Sequence, residues 1–270
     1  MTDDNVTLKL SQVTVAFGGN RVLNGIDIAF TPGFNGLIGP NGAGKTTTLN
    51  LISGYVPTSS GDITLNGKSL CGLSQMAITA SGIGRTFQAP RLILDATVMD
   101  NVLLGCHTKY RWGHAAELFK LPFARAEERR MREACMDKLE LFSLADFAHV
   151  PASALPLGSQ KIVEVARATV SEPAVVLLDE PAAGLGVEDV SVLLSGLREI
   201  CRSRSVTMVI IEHDLELVNS LCHTVHVLDY GKIIAVGPPA EAIRNPLVVE
   251  AYLGSGFVDT TRKDIVHEPT

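Results

Sequence analysis

Apolar and polar positions alternate along the first part of the chain. The alternation runs from Val6 to Phe17 and again from Val22 to Phe30, with Gly18-Gly19-Asn20 between the two stretches. A period of two residues is typical of strands that bury one face, and the glycines favour a turn. The pattern therefore predicts an antiparallel β region at the start of the chain.

Continuous apolar runs predict a second kind of strand farther along. Ala174–Leu178 is apolar throughout, and Phe34–Ile38 and Val206–Ile211 are mostly apolar, which is typical of parallel strands buried on both faces. Shorter strands are predicted at 62–65 and 84–88, and a hairpin at 225–228 and 232–236. Helical patterns separate these strands at 47–54, 75–81, 97–104, 125–141, 160–170, 187–203, 215–222, 239–244 and 246–253. This alternation predicts an α/β fold.

Composition and length bound the domain organisation. The chain has 270 residues, of which 46% are hydrophobic and 19% charged, as in ordinary globular proteins. We expect one domain over residues 1–254. A mainly helical lobe, roughly 87–153, is expected as an insertion in its α/β core, and 255–270 is expected to be a polar tail.

Charge and cysteine content narrow the function classes. The net charge of −6 does not favour broad binding to nucleic acid, so no nucleic-acid partner is expected. The five cysteines are odd in number and form no C-x-x-C pair, which favours free thiols in a reducing compartment. The polar start and the lack of an apolar run of about 18 residues predict a cytoplasmic protein without a span of its own.

The stretch from 39 to 47 carries the strongest chemical signal. It reads G-x-x-x-x-G-K-T between a predicted strand and a predicted helix, the pattern of a phosphate-binding loop. Backbone N–H groups of such a loop surround phosphate oxygens, the lysine reaches the β- and γ-phosphates, and the threonine hydroxyl holds Mg²⁺. The residues expected to bind nucleotide are Gly39, Pro40, Asn41, Gly42, Ala43, Gly44, Lys45, Thr46 and Thr47.

Polar residues follow three other predicted strands. Asp179 and Glu180 end one apolar strand, where we expect Asp179 to hold Mg²⁺ and Glu180 to polarise the attacking water. His213 follows another strand and is positioned to reach a γ-phosphate or orient the base. Gln88, predicted to end its strand, is placed to ligate Mg²⁺ or hold water, although a solvated glutamine explains the local sequence equally well.

Together these motifs resemble the nucleotide-binding subunit of ABC transporters, from Val6 to about Leu253. The resemblance implies a P-loop NTPase (RecA-like) core with an antiparallel β subdomain and an inserted helical subdomain. It implies ATP hydrolysis with Mg²⁺, with Glu180, His213, Gln88 and Lys45 as the catalytic residues. It also matches Phe17 to the aromatic residue that stacks on adenine; a core phenylalanine is the alternative for that position.

The stretch that matches the family's Leu-Ser-Gly-Gly-Gln motif departs from it. It reads Leu155-Pro156-Leu157-Gly158-Ser159, so only Leu155 and Gly158 fit. The resemblance implies that Gly158 contacts the nucleotide of a second ATPase subunit, either a paralogue or another copy. Because the serine hydroxyl is replaced by Pro156, this sequence leaves open whether both nucleotide sites of such a pair hydrolyse ATP.

Within the family, the chain is most similar to ATPases of branched-chain or hydrophobic amino-acid importers. The supporting stretches are Arg85–Gln88, Asn101–Leu103, a long insertion at 107–123, Asp179–Leu185, Ile211–Asp214 and Ala251–Gly254. The implied partners are transmembrane permeases and, indirectly, an extracytoplasmic solute-binding protein, with this subunit peripheral on the cytoplasmic face of the inner membrane. Importers of urea, amides or carboxylic acids and a lipopolysaccharide-type exporter remain alternatives, as does a soluble ATPase of translation or DNA repair. The sequence does not name the solute.

Overall fold

The computed structural model describes residues 7–109 and 122–254. The strands of this part of the chain are β1 Leu8–Phe17, β2 Asn20–Phe30, β3 Gly33–Ile38, β4 Ser60–Leu65, β5 Lys68–Ser69, β6 Ile83–Arg85, β7 Val175–Asp179, β8 Thr207–Ile211, β9 Thr224–Asp229 and β10 Lys232–Gly237. Its α-helices are α1 Lys45–Ile52, α2 Gln75–Ala80, α3 Val98–Leu103, α4 Pro122–Leu141, α5 Leu157–Thr169, α6 Val187–Ser203, α7 Leu215–Leu221, α8 Pro239–Ala242 and α9 Pro246–Gly254. Short 3₁₀ segments lie at 104–109, 145–147 and 152–154.

The strands form two sheets. Four of them make an antiparallel sheet in the order β2-β1-β4-β5, which confirms the predicted β region at the start of the chain. The other six are ordered β10-β9-β3-β8-β7-β6, and only the β9–β10 pair is antiparallel. Consequently the carboxyl ends of β3, β8, β7 and β6 lie side by side at one edge of the larger sheet.

Strand β7 shows how the larger sheet is buried. All five of its residues are buried, as the apolar run predicts. Val175 and Leu177 pack into the hydrophobic cluster that includes α1 and the antiparallel sheet. Val176 and Leu178 pack into a second cluster, to which α3, α4 and α5 contribute. Because successive side chains of a strand point to opposite faces, one strand supports both halves of the core.

The predicted helices are confirmed, with shifts at their ends. Thr97 caps α3, as predicted, because its hydroxyl accepts a hydrogen bond from Asp100 N at 3.1 Å. The loop helix begins at Lys45 rather than residue 47. Helix α5 begins at Leu157 rather than Gln160, because the carbonyl of Pro156 already accepts the Gln160 amide at 3.0 Å. Gly158 therefore lies in the first turn of a helix.

The prediction that Gln88 ends a strand is wrong, since β6 stops at Arg85. Thr86 makes one more backbone hydrogen bond to β7, at 2.9 Å from the carbonyl of Leu177. The amide of Phe87 instead points to the Glu164 carboxylate, 3.4 Å away. The chain leaves the sheet because a side chain on α5 replaces the next strand partner.

Some sequence predictions fall on residues outside those described. These are the residues before 7, most of the 107–123 insertion, including Trp112, and the predicted tail at 255–270. Among the helices of the two described ranges, none has both the length and the apolar character needed to cross a bilayer. All five cysteines lie in the described ranges, and none of them forms a disulfide.

Candidate active site

The candidate site lies where four neighbouring parallel strands end. The phosphate loop follows β3, His213 follows β8, Glu180 follows β7, and Gln88 lies three residues beyond β6. Their side chains line one cavity of about 280 Å³. Its lining residues are Val22, Asn41, Gly42, Gly44, Lys45, Thr46, Thr47, Gln88, Glu180 and His213. The tertiary structure thus brings most of the predicted site residues together at the edge where open α/β sheets bind ligands.

The phosphate loop requires glycine at two positions, where φ is positive and a neighbouring residue leaves no room for a Cβ. Gly39 has φ +148°, and a Cβ there would lie 1.9 Å from the carbonyl oxygen of Leu228. Gly44 has φ +110°, and its Cβ would lie 2.8 Å from a methyl carbon of Leu23. The far side of the loop is held by a hydrogen bond of 3.0 Å from Gly231 N to the carbonyl of Ala43. The loop is therefore pressed against β2 and the β9–β10 hairpin.

Lys45 is buried at the start of α1. Its ammonium donates hydrogen bonds to the carbonyls of Gly39 at 2.7 Å and Pro40 at 2.9 Å. Burial lowers the pKa of Lys45, while the carboxylates of Glu180 and Asp179 oppose that change. An ammonium has three donors, so one remains for a phosphate oxygen after these two contacts.

Asp179 is the buried acid at the end of β7. Its backbone N–H donates to the Thr86 hydroxyl at 3.2 Å, and its carboxylate lies 4.0 Å from the Arg85 guanidinium. Burial raises the pKa of Asp179, Arg85 opposes the change, and the neighbouring Glu180 adds to it. A cation bound at this carboxylate would favour its ionised form.

Glu180 is held on both sides by two of the other three predicted catalytic side chains. Gln88 Nε2 donates to one carboxylate oxygen at 3.0 Å, and His213 Nε2 lies 3.0 Å from the other. Glu180 also has φ +50°, a left-handed conformation that is uncommon for a residue with a side chain. Such conformations persist where the surroundings fix them, and they cluster at functional sites.

Two predicted contact residues lie apart from this cavity. Phe17, at the end of β1, is half exposed and is not among the lining residues, so it is not the core phenylalanine of the alternative interpretation. Gly158 lies on α5, and a Cβ there would be 2.6 Å from a carboxylate oxygen of Asp189. The structure therefore does not bring Phe17 or Gly158 into the cavity that the other predicted site residues line.

The structure adds buried charged residues that the sequence predictions missed. Glu212 accepts the amide of Ala182 at 2.8 Å, and burial raises its pKa. Arg85 ties β6 to α1, and Glu164 lies inside α5 against the Gln88 segment. The available signal was a charged residue between apolar ones, as in Val163-Glu164-Val165. Their contacts are long-range, so sequence alone did not indicate their roles.

A separate groove lies beside the Gln88 segment. Its volume is about 480 Å³, and its walls come from α2, β6, the 3₁₀ segment at 104–109 and α5. Three exposed apolar side chains lie in it, those of Tyr55, Met76 and Leu104. Arg85 and Arg167 add positive charge. The groove combines apolar surface and cations next to a loop that contacts Glu180.

The fold and cavity define a P-loop nucleotide-binding protein. The sequence profile described as "ABC transporter" matches residues 23–183, and one described as "Branched-chain amino acid ATP-binding cassette transporter" matches residues 232–258. The chain belongs to the ABC transporter family, as an ATP-binding subunit with ATPase activity.

Two curated relatives and two solved structures support this assignment. The chain is 36% identical over 248 residues to the high-affinity branched-chain amino acid transport ATP-binding protein BraF of Pseudomonas aeruginosa, covering 92% of this chain and 97% of the relative. It is 35% identical, with the same coverage, to LivG of Escherichia coli, which carries the same description. A nucleotide-free ATP-binding cassette of an ABC transporter superposes with a TM-score of 0.79 at 28% identity, covering 92% of this chain and 98% of that chain. The ADP conformation of such a cassette gives a TM-score of 0.78 at 30% identity, covering 92% and 99%.

Proposed function

We propose that this chain is the ATPase of an importer of branched-chain or other hydrophobic amino acids. Support comes from the match of residues 232–258 to the branched-chain amino acid cassette profile and from relatives described as branched-chain amino acid transport proteins. The proposed location is the cytoplasmic face of the membrane, peripheral to permease subunits, with a solute-binding protein on the other side.

The observation that carries the catalytic proposal is the position of Glu180 between Gln88 and His213. We assign Glu180 the role of orienting water for in-line attack on the γ-phosphorus, because its carboxylate is fixed at two oxygens and lies in the same cavity as Lys45. His213 and Lys45 are assigned to stabilise the charge that develops on the phosphoryl oxygens. Gln88 is assigned to hold Glu180 and the water.

The donor set fits Mg²⁺. Asp179 supplies a buried carboxylate, Thr46 a hydroxyl and Gln88 an amide oxygen, all of them hard oxygen donors. Mg²⁺ is usually held by one or two carboxylates together with substrate phosphates, which suits a site with this few protein ligands. When bound, the ion would neutralise charge on the β- and γ-phosphates.

A second ATPase subunit would complete the site. Gly158 and the amides of the first turn of α5 are proposed to contact the nucleotide bound to the partner subunit. Phe17 is proposed to stack on the adenine of the nucleotide bound to this chain. The replaced residues Pro156 and Ser159 favour a paralogue as the partner over an identical chain. The groove of Tyr55, Met76 and Leu104 is proposed to receive permease helices, because it is apolar, exposed and next to the Gln88 segment.

The substitution Glu180→Gln tests the catalytic assignment. We expect turnover of Mg²⁺-ATP to fall by about 100-fold or more, because the amide cannot polarise water, while ATP binding stays within about twofold. Steady-state phosphate release and equilibrium nucleotide binding measure the two effects. Glu172→Gln, on the surface away from the cavity, is the control and should keep wild-type turnover. Normal turnover by Glu180→Gln would remove Glu180 from its assigned role.

A further inference from the structure

Glu164 is a buried acid that the catalytic scheme does not use. Its side chain lies on α5 and is about 1% exposed. Its carboxylate accepts hydrogen bonds from Phe87 N at 3.4 Å, Arg91 N at 3.1 Å and the Arg167 guanidinium at 3.1 Å. Burial raises its pKa, and the Arg91 amide and Arg167 oppose that change. Burying a carboxylate is costly unless it is paired, so this position calls for an explanation beyond packing.

The contacts of Glu164 and Arg167 hold one short segment at both ends. Glu164 accepts from the first and last amides of Phe87–Arg91, and Arg167 donates to the carbonyl of Arg91 at 2.7 Å. Gln88 lies between these two anchors. Its amide is the group that contacts Glu180 at 3.0 Å. Movement of the anchors would therefore move Gln88 relative to the catalytic carboxylate.

The same face of α5 also reaches the loop after Glu180. Lys161 donates from its ammonium to the carbonyl of Ala183. Lys161, Glu164 and Arg167 are spaced three residues apart, so they lie along one side of the helix. Helix α5 thus contacts the Phe87–Arg91 segment through Glu164 and Arg167, and the loop after Glu180 through Lys161.

We propose that Glu164 is a positioning residue for ATP hydrolysis, which holds the Phe87–Arg91 segment on α5 and so keeps Gln88 against Glu180. Because Gly158 lies in the first turn of α5, a shift of this helix at that end would be transmitted through Glu164 to the catalytic carboxylate. The inference rests on the roles proposed above for Gln88 and Glu180, and it assigns the link between α5 and Gln88 to one buried acid.

The substitution Glu164→Gln is the direct test. It keeps the size of the side chain but places an NH₂ group where two backbone N–H groups and a guanidinium donate. We expect kcat for Mg²⁺-ATP to fall about 10- to 100-fold, as expected for a misplaced catalytic group, with KM and nucleotide affinity within about twofold. Hydrogen exchange at residues 86–91 should become faster, while exchange in α1 stays at the wild-type rate.

A double-mutant cycle separates positioning from a general structural effect. If Glu164 acts through Gln88, then adding Glu164→Gln to Gln88→Ala should lower kcat by no more than about twofold further. Losses that multiply in the double variant, or a kcat unchanged by Glu164→Gln alone, would overturn the proposal. Glu199→Gln is the matched control, because Glu199 pairs with Arg202 three residues away on an exposed helix face.

Two further readouts keep the proposal testable. If Glu164→Gln does not fold, Arg167→Lys takes its place under the same criteria, because it loses the paired donation to Glu164 and Arg91 while keeping its charge. Failure of the proposed function is distinguished by Glu180→Gln: full turnover by that variant sinks the catalytic scheme. Faster exchange at 86–91 in Glu164→Gln with unchanged kcat sinks only the positioning role.

Discussion

At the residue scale, the cavity depends on side chains placed in costly environments. Glu180 is held with a positive φ, and Asp179 is a buried acid. Specific partners offset the energetic cost of each residue. Gln88 and His213 contact Glu180, and Arg85 pairs with Asp179. Such arrangements cost stability, so their cost indicates residues kept for chemistry rather than for folding.

His226 is a buried residue whose contribution to the free energy of unfolding depends on pH. It lies in β9, where it is about 3% exposed, and its ring centroid is 5.0 Å from that of Phe30. Burial is the main cause that lowers its pKa from 6.5 to about 4; a backbone hydrogen bond with Ala29 opposes this change, and the neighbouring His223 adds to it. The unfolded chain therefore binds a proton below pH 6.5 that the folded chain takes up only near pH 4. The stability due to neutral His226 is complete above pH 6.5 and is lost as the pH falls toward 4.

The variant His226→Phe should reduce this pH dependence. Between pH 7 and pH 5, wild-type protein is expected to lose about 2 kcal/mol of unfolding free energy through this residue, and the variant should lack that loss. Urea unfolding at the two pH values measures it. His149→Phe, at an exposed histidine, is the matched control and should behave as wild type. Equal pH dependence in His226→Phe and wild type would contradict the assignment.

At the element scale, the segment after β6 is held by neighbouring helices rather than by the sheet. The segment after β6 is fixed to α5 by Glu164 and to α1 by Arg85. Arg85 donates to the carbonyl of Leu49 at 3.2 Å, to the Ser53 hydroxyl, and to Asn50 Oδ1 at 2.7 Å. Its guanidinium also lies 4.7 Å from the ring centre of Phe87. The Arg85 side chain therefore aligns α1, β7 and the Gln88 segment.

We expect Arg85→Lys to destabilise the protein by about 2–3 kcal/mol, because a single ammonium cannot replace the planar guanidinium at three acceptors and a ring. The free energy of unfolding in urea at pH 7 is the measurement. Arg204→Lys is the control: Arg204 pairs with Glu172 on the surface, and its replacement should cost no more than about 0.5 kcal/mol. Similar losses in the two variants would show that Arg85 is not an anchor.

At the scale of the whole molecule, two surfaces of this subunit remain to be matched by other chains. One is the N-terminal turn of α5, which contains Gly158 and the exposed Leu157. The other is the groove of Tyr55, Met76 and Leu104. The first is proposed to face a second ATPase subunit and the second a permease.

Affinity purification of the tagged chain from gently solubilised native membranes tests this assembly. We expect two permeases and a second, different ATPase to co-purify, because the altered residues around Gly158 favour a paralogue. Mass spectrometry identifies the partners, and uptake of branched-chain amino acids by the same cells then tests the solute. The matched variant Met76→Glu should lose the permeases, because it places a charge in an apolar groove, and retain nucleotide binding. Recovery of ribosomal or DNA-repair proteins instead would contradict the transporter assignment.

Local signals in the sequence were sufficient for the elements and for the class of the protein. The phosphate loop is contiguous, so its glycines, Lys45 and Thr46 are fixed by short-range geometry. The buried strands and the polar residues after them were predicted for the same reason, with errors of a few residues at strand and helix ends. The strand before Gln88 was predicted too long because its true end depends on the contact of Phe87 with Glu164, which lies 77 positions after Phe87 in the chain.

The sequence by itself determined the class of the protein, the phosphate loop and the acids of β7, because these depend on neighbours in the chain. Only the tertiary structure decided that β3, β8, β7 and β6 are adjacent in that order, since strand pairing is a long-range choice. That order places His213 and Gln88 on either side of Glu180, although 92 positions separate Gln88 from Glu180 in the chain. The same long-range packing places the carboxylate of Glu164 beneath the Gln88 segment, where burial and hydrogen bonding give it a role that its position in the sequence does not show.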